Sequence, residues 1–371
     1  MDFEFTDDQD QLRDAVRKWV KRSYTFEHRR SSESSGGFSP DAYSELAELG
    51  LTGLYVPEEY GGVGMGPVDV MVVMEELGLG IVLEPLAQVL LAGAVLSNYA
   101  EASVRAAWLP TIASGESLVV LAQQERANRY RIDTCETRAV ETAEGWELTV
   151  SKSLVPVGDH AAAYIVPAMI ADTLGAFLVE RSAPGVLVHP YQTVDGSRAA
   201  ELTLSKAPGT LVTREGQDCL SYAVDLGIAM TCAEAVGVMD VTLEALVDYM
   251  KTRKQFGVAI ASFQALRHRV ADMKMSLELA RSMSYYASLN VNAPANQRRR
   301  AMAQAKYQLG GSMRFVGQQA VQLHGGIGMT DEYIVSHYFR RLTQMESVFG
   351  DTLHHLAQMS DSMHPELDKA A

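Results

Sequence analysis

The chain has 371 residues, 47% of them hydrophobic, which is enough for two or three packed layers around a sizeable core and too apolar for a disordered polymer. Its formal charge of −14 and pI near 5.1 disfavour nucleic-acid binding, because no basic stripe is available to displace phosphate counterions. Cys135, Cys219 and Cys232 are odd in number and scattered, which argues against a disulfide framework or metal site and for a reducing compartment.

The first eight residues, Met1-Asp2-Phe3-Glu4-Phe5-Thr6-Asp7-Asp8, are acidic and lack the basic and apolar regions of a secretory signal. The apolar run at 70–74 stops at Glu75-Glu76, and the run at 82–95 contains Glu84 and Pro85. Neither reaches the roughly 20 apolar residues that cross a bilayer, so a cytoplasmic location is expected.

Helical periodicity fills the region from about residue 5 to residue 114. Thr6 before Asp7-Asp8-Gln9 reads as a capped helix start, and Leu12, Val16, Trp19 and Val20 follow at helical spacing. Gly50-Leu51-Thr52-Gly53 and Gly61-Gly62-Val63-Gly64 divide this region into separate helices. The pattern then changes. Trp146-Glu147-Leu148-Thr149-Val150, Ala176-Phe177-Leu178-Val179 and Ala200-Glu201-Leu202-Thr203-Leu204 are strand-like runs between turn signals at 144–145, 158–159, 184–185 and 195–196. They predict a small β domain, either barrel or sandwich. Helices return from about 220 to 254, 263 to 290 and 297 to 324, with a shorter one after Asp331, and Pro294 separates the second from the third. Long helices with short connections predict a bundle. The expected architecture is α+β, mainly α: an N-terminal helical domain at 1–115, a middle β domain at 116–212 and a C-terminal four-helix bundle at 213–371.

Three motifs stand out. Arg253-Lys254-Gln255-Phe256-Gly257 closes a long helix. A planar guanidinium suits two oxygens of a pyrophosphate, Phe256 can pack on a base, and Gly257 permits a reversal. An ordinary cationic helix end has the same composition. Gln322-Leu323-His324-Gly325-Gly326-Ile327-Gly328 places adjacent glycines where backbone amides can approach a ligand; a helix C-cap is the plainer reading, and the two are compatible. Val56-Pro57-Glu58-Glu59-Tyr60-Gly61-Gly62-Val63-Gly64-Met65, followed by Met74-Glu75-Glu76-Leu77-Gly78, is a glycine-rich turn that assigns no chemistry by itself.

Together, and in this order, these motifs resemble the acyl-CoA dehydrogenase family over essentially the whole chain. The resemblance implies α,β-dehydrogenation of an acyl-CoA thioester with FAD held across a subunit interface. It makes Arg253, Gln255, Phe256, Gln264, Gln322, Gly325, Gly326 and Gly328 the cofactor-binding residues of this chain. In that family a Glu in a Tyr-Glu-Gly motif removes the α-proton. Here the stretch reads Val348-Phe349-Gly350-Asp351, with Gly350 in the place of the Glu.

The family's Thr-Glu-Pro…Ala-Gly-Ser-Asp loop beside the flavin ring is replaced by Ala122-Gln123-Gln124-Glu125-Arg126-Ala127-Asn128-Arg129-Tyr130-Arg131, in which Glu125 alone is retained. Val155 and Pro156 stand near the family's ring-side aromatic position. Glu346, Asp351 and Asp225 are the remaining candidates for a base. The run His337-Tyr338-Phe339-Arg340-Arg341-Leu342-Thr343 and the residues after it resemble the small subunit of bacterial pimeloyl-CoA and steroid-side-chain type heteromers.

That resemblance implies no catalytic residue in this chain. It implies an α2β2 heterotetramer with a homologous catalytic subunit, an acyl-CoA bound mainly by that partner, and an electron-transfer flavoprotein as acceptor. A homo-oligomeric dehydrogenase with a relocated base and a flavin-free structural homologue are the rival expectations.

Overall fold

The structure is a computed structural model that describes residues 5–363. Six helices come first: α1 (Asp7–Ser23), α2 (Phe26–Ser34), α3 (Pro40–Glu48), α4 (Pro67–Gly80), α5 (Leu86–Tyr99) and α6 (Ala102–Ala113). Seven strands follow: β1 (Val119–Leu121), β2 (Arg138–Thr142), β3 (Gly145–Pro156), β4 (Ala163–Ile170), β5 (Thr173–Glu180), β6 (Val186–Gln192) and β7 (Arg198–Thr213). The long helix α7 (Gly216–Thr252) leads to the hairpin β8 (Lys254–Gln255) and β9 (Val258–Ala259). The described residues end in α8 (Gln264–Asn290), α9 (Ala295–His324), α10 (Ile334–Ser347) and α11 (Thr352–Met363).

These elements form two compact units. One comprises residues 1–29, 67–82 and 228–371, through its described residues; the other comprises 30–66 and 83–227.

In the second unit the strands close on themselves. β4, β2, β3, β7 and β5 pair in that order, and β5 returns antiparallel to β4, with β1 beside β4 and β6 beside β7. Closure makes this a barrel, which leaves few free edges. The three strand-like runs lie within β3, β5 and β7. β1, β2, β4 and β6 were not legible, because β1 is only three residues long and β4 is buried on both faces for most of its length, so neither alternates.

The first unit is a helical bundle. α1 begins with a capping box in which Thr6 Oγ1 accepts from the Gln9 amide and Gln9 Oε1 accepts from the Thr6 amide. Glu75 and Glu76, which interrupt the apolar face of α4, are held by arginines from other helices. Arg17 of α1 donates twice to Glu76, at 2.8 and 2.6 Å, and Arg281 of α8 pairs with Glu75 and with Asp240 of α7.

α4 and α7 cross at glycines. A Cβ on Gly237 would lie 2.0 Å from the Glu75 carbonyl oxygen, and one on Gly78 would lie 2.3 Å from the Glu234 carbonyl oxygen. Gly237→Ala is therefore expected to lose about 2 kcal/mol of stability in a urea melt, because forced separation outweighs the ~1 kcal/mol helix-propensity gain. An unchanged midpoint would show that the helices part freely.

α7 is 37 residues long with an apolar window of mean hydropathy 1.5, of which 83% is buried inside the structure. It packs as a core helix. α11 was not expected from the sequence; its start is marked only by Asp351, which accepts from the His354 amide at 2.8 Å.

Candidate functional site

Three helix ends of the first unit meet at one place. α8 and α9 run antiparallel and are tied by Arg269, whose Nη1 donates to Gln319 Oε1 at 3.4 Å. α7 and α9 are tied by Tyr249, whose hydroxyl donates to the His324 carbonyl at 3.1 Å and whose ring lies 4.5 Å from the His324 ring. The end of α7, the start of α8 and the end of α9 therefore present Arg253, Gln255, Phe256, Gln264, Gln322, Gly325 and Gly326 together, all exposed.

The sequence makes this end unusual in two ways. After α7 the chain reverses through Phe256 and Gly257, with φ of +52° and +81°, between Gln255 paired to Val258 and Lys254 paired to Ala259. That is the primed turn suited to a tight hairpin. A bulky residue in the left-handed region is strained, yet Phe256 is also 91% exposed. An exposed aromatic held at a conformational cost suits a surface awaiting a planar partner.

At the end of α9, Gly325 takes φ +69° and ψ −146°, a region open essentially to glycine alone. A Cβ on Gly257, Gly325 or Gly326 would meet nothing within 4 Å, so these glycines expose backbone toward open space. Gly328 differs. It is buried, and a Cβ there would lie 3.0 Å from His324 Cβ.

Arg253 has no hydrogen bond or ion pair for its guanidinium among the described residues. With the exposed glutamines and glycine amides it forms a donor set suited to phosphate oxygens. An FAD pyrophosphate and adenine fit this arrangement of donors and exposed ring, with Arg253, Gln264 and Gln322 as side-chain donors and Phe256 as the stacking face.

The acids stand elsewhere and are engaged. Glu346 Oε1 accepts from Thr352 Oγ1 at 2.6 Å, the Thr352 amide at 3.1 Å and Arg314 at 2.9 Å, which caps α11. Asp351 caps the same helix through the His354 amide. Asp225, in the other unit, is 1% exposed.

Gly350 adopts φ +113°, and a Cβ there would lie 2.6 Å from both His354 Cδ2 and His355 Nε2. Its carbonyl is held at 2.9 Å by Nζ of Lys306, a lysine 1% exposed that also donates to the Met345 and Glu346 carbonyls at 3.1 and 2.9 Å. These two are last-turn carbonyls of α10, where a cation opposes the helix dipole. Burial pushes the Lys306 amine down to about 8. His355, whose ring nitrogen Nε2 lies 3.1 Å from the Phe349 carbonyl, is pushed down to about 3 by burial and by the Lys306 charge.

The run containing His337 is likewise structural. The buried Arg29 donates to His337 Nδ1 at 2.9 Å, and Arg341 Nε donates to Glu234 at 2.7 Å.

In the second unit, Glu125 is a pivot. Its carboxylate accepts from Lys152 Nζ at 2.6 Å, Thr137 Oγ1 at 2.5 Å, the Glu136 amide at 2.6 Å and Asn128 at 2.7 Å. Burial raises its pKa, but the Lys152 charge and these hydrogen bonds outweigh burial and hold it at about 2. Arg126, Arg129 and Arg131 project from the exposed loop this pivot folds, Arg131 pairing with Asp133 at 3.0 Å. Sequence reasoning missed Lys152 and Lys306; each is a lone lysine on an otherwise apolar face, and only that mismatch signals them.

A helical bundle joined to a closed β barrel, with exposed donors at one bundle end, defines the architecture of the flavin-dependent acyl-thioester oxidoreductases. Residues 6–116 match the model of the acyl-CoA dehydrogenase N-terminal domain and residues 214–364 that of the C-terminal domain. The chain belongs to the acyl-CoA dehydrogenase family, whose members are oxidoreductases that normally bind FAD.

It is 29% identical to the probable acyl-CoA dehydrogenase YngJ of Bacillus subtilis, over 93% of this chain and 95% of that protein. Among solved structures it is similar to the Tcur3481-Tcur3483 steroid ACAD, with TM-score 0.90, 27% identity and coverage of 97% and 99%. It is also similar to the ChsE4-ChsE5 complex of Mycobacterium tuberculosis, with TM-score 0.89, 26% identity and coverage of 98% and 99%.

Proposed function

We propose that this chain is the small, non-catalytic subunit of a heteromeric FAD-dependent acyl-CoA dehydrogenase. The observation that carries this reading is an asymmetry within the chain: an exposed donor set stands at one bundle end, while Gly350, where the family resemblance would put the base, has a positive φ and a Cβ there would lie 2.6 Å from two imidazole rings. Glu346 and Asp351 are committed to capping α11, which disfavours a relocated base.

Bound FAD supplies the hydride acceptor for dehydrogenation. This chain's residues would hold the nucleotide end: Arg253 would offset the pyrophosphate charge, the Gly325-Gly326 amides and the Gln264 and Gln322 side chains would donate hydrogen bonds to it, and Phe256 would offer a face to the adenine. A homologous partner supplies the carboxylate that takes the α-proton, the loop beside the flavin ring and the acyl pocket.

A partner of the same fold suits the outer face of α8, where Met275, Leu279, Tyr286 and Leu289 lie exposed at helical spacing. The steroid and two-subunit names of the similar structures support a steroid-side-chain or related acyl substrate and assembly with a second subunit; α2β2 stoichiometry, a cytoplasmic location and an electron-transfer flavoprotein as acceptor belong to the same proposal. The same reading keeps three domains, at 1–115, 116–212 and 213–371.

Native mass and flavin-to-protein ratio test this, for the chain alone and co-expressed with an adjacent-gene homologue. A flavin-free chain and one FAD per mixed pair are expected. A homo-oligomer carrying one FAD per subunit would sink the half-site reading, and a colourless mixed complex would leave only a structural role.

A further inference from the structure

The two cofactor-holding elements lie on different helices, and the contacts between them pass through three rings. His324 is 4% exposed and sits at the last position of α9. Its Nδ1 lies 2.7 Å from the Ala320 carbonyl, which fixes that nitrogen as the N–H donor. Its Nε2 is buried and has no hydrogen-bond partner among the described residues. The ring is packed between Tyr249, at 4.5 Å, and Tyr333, at 5.3 Å. A second proton on Nε2 would meet no acceptor among the described residues, and burial holds the imidazole pKa below its ordinary value. On one side Gly328 packs against His324 Cβ. On the other, the Tyr249 hydroxyl holds the His324 carbonyl at 3.1 Å, while the Tyr249 carbonyl accepts from the Arg253 amide at 2.8 Å.

We propose that Tyr249 and His324 are positioning residues, a latch that fixes the glycine turn at 325–328 to the arginine hairpin at 253–259 so that both meet the nucleotide as one preformed surface. This rests on the reading of that end as an FAD half-site. Neither residue touches the cofactor in the proposal. Their effect is preorganisation: the turn amides are aimed before the pyrophosphate arrives, and binding does not have to order them. The imidazole contributes one donor and a flat face to this contact.

Four variants test it: Tyr249→Phe, which keeps the ring and loses the hydroxyl; Tyr249→Leu; His324→Leu; and His324→Asn, which keeps an N–H close to the Nδ1 place. Two readouts are needed. Hydrogen exchange of the turn amides is measured in the full chain without flavin, and the FAD dissociation constant is measured in the mixed complex by flavin fluorescence. Loss of one hydrogen bond is expected to speed turn exchange and weaken FAD by about fivefold in Tyr249→Phe. The effect should be larger in Tyr249→Leu and His324→Leu, recovered in His324→Asn, with the KM for acyl-CoA unchanged in every variant. Wild-type FAD affinity in all four variants, from a complex that does hold FAD, would overturn the latch and leave the half-site standing. A wild-type complex without FAD would overturn the half-site itself and the latch's cofactor role with it. Failure of His324→Asn to recover either readout would overturn the role assigned to Nδ1.

Discussion

Lys152→Met is expected to destabilise the chain by about 4 kcal/mol, because removing one member of a buried charge pair strands the other. Lys152 is fully buried and Glu125 is 2% exposed, and their 2.6 Å contact is an ion pair among the interactions that fold residues 125–137 around this carboxylate. Urea unfolding of the variant measures the loss. Adding Glu125→Gln should recover part of it, since a neutral amide no longer needs a counter-charge. A loss below roughly 1 kcal/mol, the range of an exposed pair, would mean that the site admits water and that the ion pair is incidental.

The pH dependence has a definite sign. The Glu125 carboxyl is held at about 2 in the folded chain against an ordinary 4.5, so the unfolded chain binds the proton more tightly. The stabilisation is fully present above about pH 4.5 and is lost as pH falls toward 2. The difference is worth up to about 3 kcal/mol, and screening at the exposed loop brings it nearer to 2. The parent should therefore lose stability across this acid window more steeply than the Glu125→Gln/Lys152→Met double variant does.

What could be read in advance follows the range of the interactions involved. The capping box at Thr6 and Gln9, the break at Pro294 and the α8–α9 hairpin depend on residues close in sequence, and they were legible there. So were the hairpin that holds Arg253, Phe256 and Gly257 and the turn at Gly325-Gly326, since each is local in sequence. Tyr249 was not, since its partner His324 is 75 residues away and a tyrosine in a long helix carries no special spacing. The Glu125 pivot depends on Lys152, 27 residues on, and the α4–α7 crossing depends on Gly78 and Gly237, which as single helical glycines look like weak positions. Barrel closure through β4 and β5 was undecidable because β4 lacks alternation, so barrel and sandwich were equally compatible with the three visible strands.

The second large effect concerns Gly350. Placing a carboxylate there, as Gly350→Glu, is expected to give no dehydrogenase activity to the chain alone and to cost about 3 kcal/mol, from a left-handed backbone and an overpacked site. The φ of +113° disfavours any side chain, and the added Cβ would fall 2.6 Å from two imidazole rings. The loop cannot easily yield. Lys306 Nζ grips its Gly350 carbonyl together with two carbonyls at the end of α10, while Glu346 and Asp351 cap α11 on the other side.

A pocket that had merely lost its base would accept the carboxylate back, whereas this segment is built as a wall with a buried ammonium behind it. Thermal melting and a flavin-reduction assay, on the variant alone and in the mixed complex, distinguish the two. A Gly350→Glu chain that is as stable as the parent and reduces FAD without its partner would show that only the carboxylate was missing. A destabilised chain that remains inactive alone, while the mixed complex with the parent chain reduces FAD, agrees with the proposed half-site reading.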